Sequence, residues 1–231
     1  MKRLIGLDIG TTALKIALFD EKGTLLAVST QEYDLLTPAL NYVEEEPEVY
    51  WQAFKAGLFD LKKKYPFDKD TELAMAMSAQ GETLFFLDKK GKPLRNAIVW
   101  MDNRATKEAE KLTEKFGNDV CYKKTGQVSF EACWPASKVL WVREHEPEVF
   151  DKTDKILLIE DYFLYRLTGK CATEPSLVCS TTYWDIIEKS YWKEMLEFLQ
   201  IREEQLAPVM ESGMPVGKIL PEVATELQIG E

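Results

Sequence analysis

The segment Asp8-Ile9-Gly10-Thr11-Thr12-Ala13-Leu14-Lys15 places residue types suited to phosphate chemistry close together. An apolar run ends in a carboxylate, and a glycine lets the backbone approach a ligand. Two hydroxyls line the turn, and an amine follows on the next strand. Successive N–H groups and hydroxyls in a tight turn cradle phosphate oxygens, while a carboxylate there holds Mg2+ through water. The same residues also suit a plain hairpin in which Asp8 and the threonines satisfy turn hydrogen bonds. Neither Gly-x-x-x-x-Gly-Lys-[Ser/Thr] nor Gly-x-Gly-x-x-Gly occurs, so Walker-type and dinucleotide-binding loops lose support.

The surrounding pattern supplies elements to position this turn. Residues 3–7 and 13–19 read as strands, and a third strand runs over 24–33 after the turn Asp20-Glu21-Lys22-Gly23. Such short, glycine-containing connections imply antiparallel neighbours. Pro47 opens a helix whose Tyr50, Trp51, Phe54, Leu58 and Leu61 recur at spacings of three and four. The strand at 71–78 follows a helix and can therefore join the sheet in parallel. Extended segments follow at 84–88, 98–100 and 155–160. Helices are expected over 103–116, 135–144, 161–167, 191–199 and 221–227, with Gly169 as a C-terminal stop. The result is one α/β domain with an antiparallel start and later parallel crossovers.

The chain has 231 residues, enough for one large core, and 45% of them are hydrophobic. Its net charge of −10 repels phosphate backbones and anionic lipid, so nucleic acid and membrane surfaces are not expected partners. Its longest apolar runs fall far short of the roughly 20 residues that span a bilayer. Cys121, Cys133, Cys171 and Cys179 lack metal-site spacing, which fits reduced thiols in a cytoplasmic protein. With His145 as the only histidine, Ser-His-Asp and Cys-His mechanisms are disfavoured. His145 reads as part of a solvated helix end, and Glu44-Glu45-Glu46 as a solvated loop. Trp51, Trp141, Trp184 and Trp192 read as packing residues.

The hairpin is followed in order by Gln80-Gly81-Glu82-Thr83, Trp100-Met101-Asp102-Asn103-Arg104, Ser137-Lys138, Glu160-Asp161-Tyr162, Tyr165-Arg166-Leu167-Thr168-Gly169 and Ser180-Thr181-Thr182. This ordered set resembles the N-terminal domain of an FGGY carbohydrate kinase of the xylulokinase or gluconokinase kind. The resemblance covers nearly the whole of residues 1–231. It implies a ribonuclease-H-like α/β domain of the actin, hexokinase and sugar-kinase superfamily. Such a domain has a mixed sheet, antiparallel first three strands and helices on both faces. It also implies transfer of the γ-phosphoryl of ATP to a hydroxyl of a pentulose, polyol or sugar acid, with Mg2+. Gly10, Thr11, Thr12 and Lys15 would meet the phosphates, and Asp8 would stand at the metal in the catalytic centre. Gln80, Gly81, Glu82, Trp100, Asp102 and Arg104 would line the sugar side, with Trp100 as its flat surface. On the strand alone, Trp100 reads better as a core side chain than as a sugar contact, and the alternative for Asp102 and Arg104 is a salt bridge capping the next helix.

The pocket departs from familiar members of the family. Glycerol kinases carry an arginine, and xylulokinases typically a methionine and histidine, where this chain has Gly81 and Glu82. Cys133 stands where glycerol kinases place a sugar-contacting tyrosine, so the sugar is not assigned. The family's Gly-Asp base segment and adenosine motifs are not found within 1–231. The expectation is therefore a fragment of a longer enzyme, inactive alone and completed by a C-terminal domain, with a homodimer also compatible. Two rivals remain: an actin- or chaperone-like ATPase branch of the superfamily, and a non-catalytic sugar-sensing or scaffolding domain with the same fold.

Overall fold

The spacing around Gly10 produces the expected hairpin. The structure, a computed structural model, describes residues 2–230. β1 (Lys2–Ile9), β2 (Ala13–Asp20) and β3 (Leu25–Glu32) form an antiparallel meander in which Asp8 lies opposite Lys15. After β4 (Glu44–Glu45), the 18-residue helix α1 (Pro47–Lys64) crosses back and delivers β5 (Glu72–Ala79) parallel to β1. The sheet order is β3-β2-β1-β5. Ile5, Leu7 and Ile9 point to the face covered by α1, while Leu4 on the opposite face is exposed. All five residues of the α1 stripe are buried. Gly57 allows α1 to approach β2 closely, because a Cβ there would stand 2.7 Å from Ile16 Cγ2.

Most of the remaining strands form a separate four-stranded sheet, a departure from the expected run of parallel crossovers. β6 (Leu84–Leu87) and β7 (Ala97–Ile98) are joined by residues 88–96, too few for a crossover, so they pair antiparallel. The helices α2 (Thr106–Phe116), α3 (Asn118–Thr125), α4 (Pro135–His145) and α5 (Pro147–Lys152) follow. β8 (Lys155–Leu158) then returns antiparallel to β6, completing the order β4-β7-β6-β8. Helices lie on both faces of this second sheet. Phe85 and Leu87 share a core with α1, the first sheet and α6 (Ile159–Thr168), and Phe85 stacks on Tyr162 at 4.3 Å. Leu84 and Phe86 point into a second core with α2 and α4. The short α7 (Pro175–Val178), the ribbon of β9 (Trp184–Asp185) with β10 (Ser190–Tyr191), α8 (Lys193–Leu199) and α9 (Pro221–Leu227) complete the chain. No helix of the described residues is long and apolar enough to cross a membrane.

One expectation about charge changes in three dimensions, and another holds. Glu44-Glu45-Glu46 is not a solvated loop: its first two residues form β4, and Glu45 is 2% exposed. Pairing with β7 draws that backbone into the sheet and buries the side chain with it. His145 is an exposed end of α4, as expected; it also stacks on Trp141 and meets the buried Glu108 carboxylate at 3.2 Å.

A third charge has consequences for stability. The α6 residue Asp161 accepts from the Leu158 N–H at 3.0 Å. Burial, reinforced by Glu160 and Glu174, pushes its carboxyl up to about 8, and burial pushes Glu160 up to about 7. The folded chain therefore keeps protons that the unfolded chain releases near pH 4, and stability falls as pH rises from about 4 to 8. Asp161→Asn retains the acceptor and is expected to flatten this decline. Urea midpoints at pH 5 and 7 check it, and an unchanged difference between them would refute the assignment.

Candidate functional site

The β1–β2 turn is held by a small set of backbone bonds. Gly10 N–H donates to Ala13 O at 3.0 Å, and a Cβ on Gly10 would stand 2.8 Å from that same oxygen. Only glycine closes this turn without displacing backbone. From the end of β3, the Tyr33 hydroxyl donates to Gly10 O at 2.5 Å, and Tyr33 N–H donates to Thr12 O. Burial raises the phenol's pKa, with further contributions from the Glu45 and Asp8 charges. Asp8 and Lys15 are both exposed and lie directly opposite each other on adjacent strands, so they share one face. A carboxylate, an amine and two hydroxyls at one turn suit a polyphosphate with its Mg2+.

β5 ends beside this turn, because its parallel register places Ser78 next to Asp8 and Gln80 N–H on Ile9 O at 2.8 Å. Gln80 Nε2 also donates to Tyr50 Oη at 3.3 Å. Gly81 has no atom within 4 Å of the position its Cβ would take, which leaves open space. Glu82 follows with φ of +28°, a conformation costing a non-glycine residue on the order of 1–3 kcal/mol. The Glu82 side chain is half-buried. The next hydroxyl, Thr83 Oγ1, accepts from Trp100 N–H at 3.1 Å.

Trp100 joins the two regions. Its indole Nε1–H donates to Thr11 Oγ1 at 2.9 Å across 89 residues of sequence, while the ring stays 38% exposed. The hairpin and the Trp100 loop thus form one surface. An indole plane beside such polar groups is suited to a sugar ring.

Asp102 and Arg104 point inward, which corrects the expectation that both offer groups to a sugar. Asp102 is fully buried; its carboxylate accepts from Val43 N–H at 2.6 Å, from Arg104 N–H and from the Arg104 guanidinium at 2.8–3.0 Å. Arg104 also reaches Glu44 at 2.7 Å and stacks over Tyr42 at 3.9 Å and Trp141 at 4.8 Å. Burial opposes its charge, yet the bonds to Asp102 and Glu44 raise its pKa overall. Arg95 bonds to the same Glu44. Nor does Asp102 cap α2, which begins at Thr106 without a side-chain cap. The pair locks the loop that carries the exposed Trp100.

Glu44 and Lys138 carry no site role in the sequence reading, although Ser137-Lys138 stands in the ordered motif set and Glu44 in the acidic run. Lys138 is fully buried on α4, with Nζ 2.9 Å from both Val99 O and Trp100 O. Burial pushes its amine down to about 7, against the opposing pull of Asp102, Cys133 and Glu82. The signal was a single charge in an otherwise apolar stretch, Pro135-Ala136-Ser137-Lys138-Val139-Leu140-Trp141-Val142. Cys133 and Cys179 are half-buried, and both feel the Glu82 charge, so they belong to the same neighbourhood.

Comparison with known proteins places the chain in a family. Residues 3–230 match the model of the FGGY family of carbohydrate kinases, N-terminal domain. The chain is 34% identical over 226 residues to a xylulose kinase of Bacillus subtilis, covering 98% of this chain and 45% of that protein. It is 30% identical to a glycerol kinase of Thermococcus kodakarensis, covering 94% of this chain and 44% of that protein. It superimposes on the gluconate kinase structure from Lactobacillus acidophilus with a TM-score of 0.91 at 29% identity, over 99% of this chain and 46% of that one. A Plasmodium falciparum glycerol kinase solved with ADP shares the fold, with a TM-score of 0.86 at 23% identity. The chain spans about half the length of the curated relatives it matches. An indole bonded to the hairpin threonine, on a chain matched almost end to end by one family model, leaves a single placement: this chain belongs to the FGGY family of carbohydrate kinases, in the part that forms their N-terminal domain.

Proposed function

We propose that this chain is the sugar-binding half of an ATP-dependent carbohydrate kinase acting on a pentulose, polyol or sugar acid in the cytoplasm. The Trp100–Thr11 hydrogen bond carries this reading, because it puts a sugar platform against a phosphate-type turn. Gln80, Glu82 and the face of Trp100 hold the sugar, and the open space at Gly81 leaves room for it. Gly10, Thr11, Thr12 and Lys15 grip the terminal phosphates, and Asp8 orients Mg2+ through water. Asp102 and Arg104 keep the Trp100 loop rigid. MgATP supplies the γ-phosphoryl group when bound. The sugar oxygen forms the new P–O bond as the bond to ADP breaks, and the hydroxyl proton passes to a base. Positioning and charge neutralisation then carry most of the acceleration.

Coverage of 44–47% of the relatives supports assigning that base and the adenosine pocket to a second domain of the same polypeptide. The 231-residue chain by itself is accordingly expected to bind sugar and to show no appreciable phosphoryl transfer. Calorimetry with xylulose, glycerol and gluconate tests the binding. Glu82→Ala is expected to weaken the best of the three by roughly 10- to 100-fold, the loss for a buried partner of about 1–3 kcal/mol. Equal affinity in the variant and the parent would move the sugar elsewhere.

A further inference from the structure

Lys138 is an unusual cation. It lies on a helix whose residues from Pro135 to Val142 are all buried, and its Nζ has two carbonyl oxygens for partners and no ion-paired carboxylate among the described residues. An ammonium buried in this way is costly, whereas a methionine of similar length would fill the space without that penalty. The two carbonyls, Val99 and Trp100, belong to the loop that presents the indole. Val99 O also accepts from Asp102 N–H at 3.0 Å. Trp100 is consequently held from three directions: its N–H by Thr83, its carbonyl by Lys138 and its indole by Thr11.

We propose that Lys138 is a positioning residue whose two hydrogen bonds to the loop set the Trp100 indole against Thr11, keeping the sugar-facing and phosphate-facing surfaces in one register. The proposal rests on the functional reading above only for what those surfaces bind. The groups that act on the amine are Asp102, Glu82 and Cys133, which favour its charge, and Arg104, which opposes it. Burial outweighs them, so the ammonium loses its proton near pH 7 and the bonds to the two carbonyls weaken above that point.

The test is a pH titration of the 231-residue chain followed by 1H–15N spectra, in which six tryptophans give six indole N–H signals. Trp100→Phe identifies the relevant one. That signal is expected to shift with a midpoint near pH 7 in the parent and to lose the shift in Lys138→Met. A Trp100 signal in Lys138→Met that superimposes on the parent from pH 6 to 8.5 overturns the proposal. If that variant fails to fold, Thr11→Val cuts the far end of the same chain of contacts. The indole shift should then vanish while the Trp100 backbone N–H keeps its own, and an indole that still titrates refutes the coupling. These signals need neither sugar nor nucleotide, so failure here leaves sugar binding untouched, and absent sugar binding leaves this result standing.

Discussion

Asp102→Ala is expected to destabilise the chain by about 3–5 kcal/mol, read as a lower midpoint in urea. The Arg104 side chain is 1% exposed and would lose one of its two carboxylate partners. The Val43 N–H would lose its acceptor at the same time. The cost comes mainly from the buried charge left behind, which distinguishes this change from an ordinary cavity mutation. Asp102→Leu combined with Arg104→Met removes both charges and is expected to recover a substantial part of the loss. A single-variant effect below about 1 kcal/mol would mean that the pair is not the anchor of the Trp100 loop.

Gly10→Val is expected to abolish the phosphate binding proposed for the hairpin, with a stability loss of about 1–3 kcal/mol from overpacking. The obstacle is a backbone oxygen 2.8 Å away, which cannot swing aside as a flexible side chain can. Opening the turn also disturbs the Tyr33 hydroxyl bond to Gly10 O and the Thr11 hydroxyl under the indole. Titration with magnesium tripolyphosphate, followed through the amide signals of residues 10–13, gives the readout. The parent signals should move, and those of the variant should stay still. Lys15→Ala, which removes one exposed amine and no turn geometry, should weaken the titration without eliminating it. Equal titration of Gly10→Val and the parent would exclude this hairpin as the phosphate site.

Much of the architecture is legible in local spacing. The hairpin at Gly10, the α1 stripe and the Gly169 stop each depend on residues a few positions apart. Turn length, a 3.6-residue period and a left-handed glycine are local constraints that survive into the fold. The division into two sheets is not legible in this way. β8 reads as a good strand wherever it pairs, and four intervening helices carry no mark of its partner or direction.

The candidate site divides along the same line. The sequence by itself determined which residues could do the chemistry: a carboxylate, a glycine and two threonines at a turn, then an ordered series of polar motifs with one tryptophan. Only the tertiary structure decided which of them face outward. It turned Asp102 and Arg104 toward each other and buried Glu45. It also brought Glu44 onto two arginines and set Lys138 beneath the tryptophan loop. The reason is the distance along the chain: Val43 to Asp102 is 59 residues, Glu44 to Arg104 is 60, and Thr11 to Trp100 is 89. Periodicity and turn chemistry act within a few residues. The choice of partner for a charge is made when the sheets and helices pack, because desolvation then makes an unpaired charge too costly to leave alone.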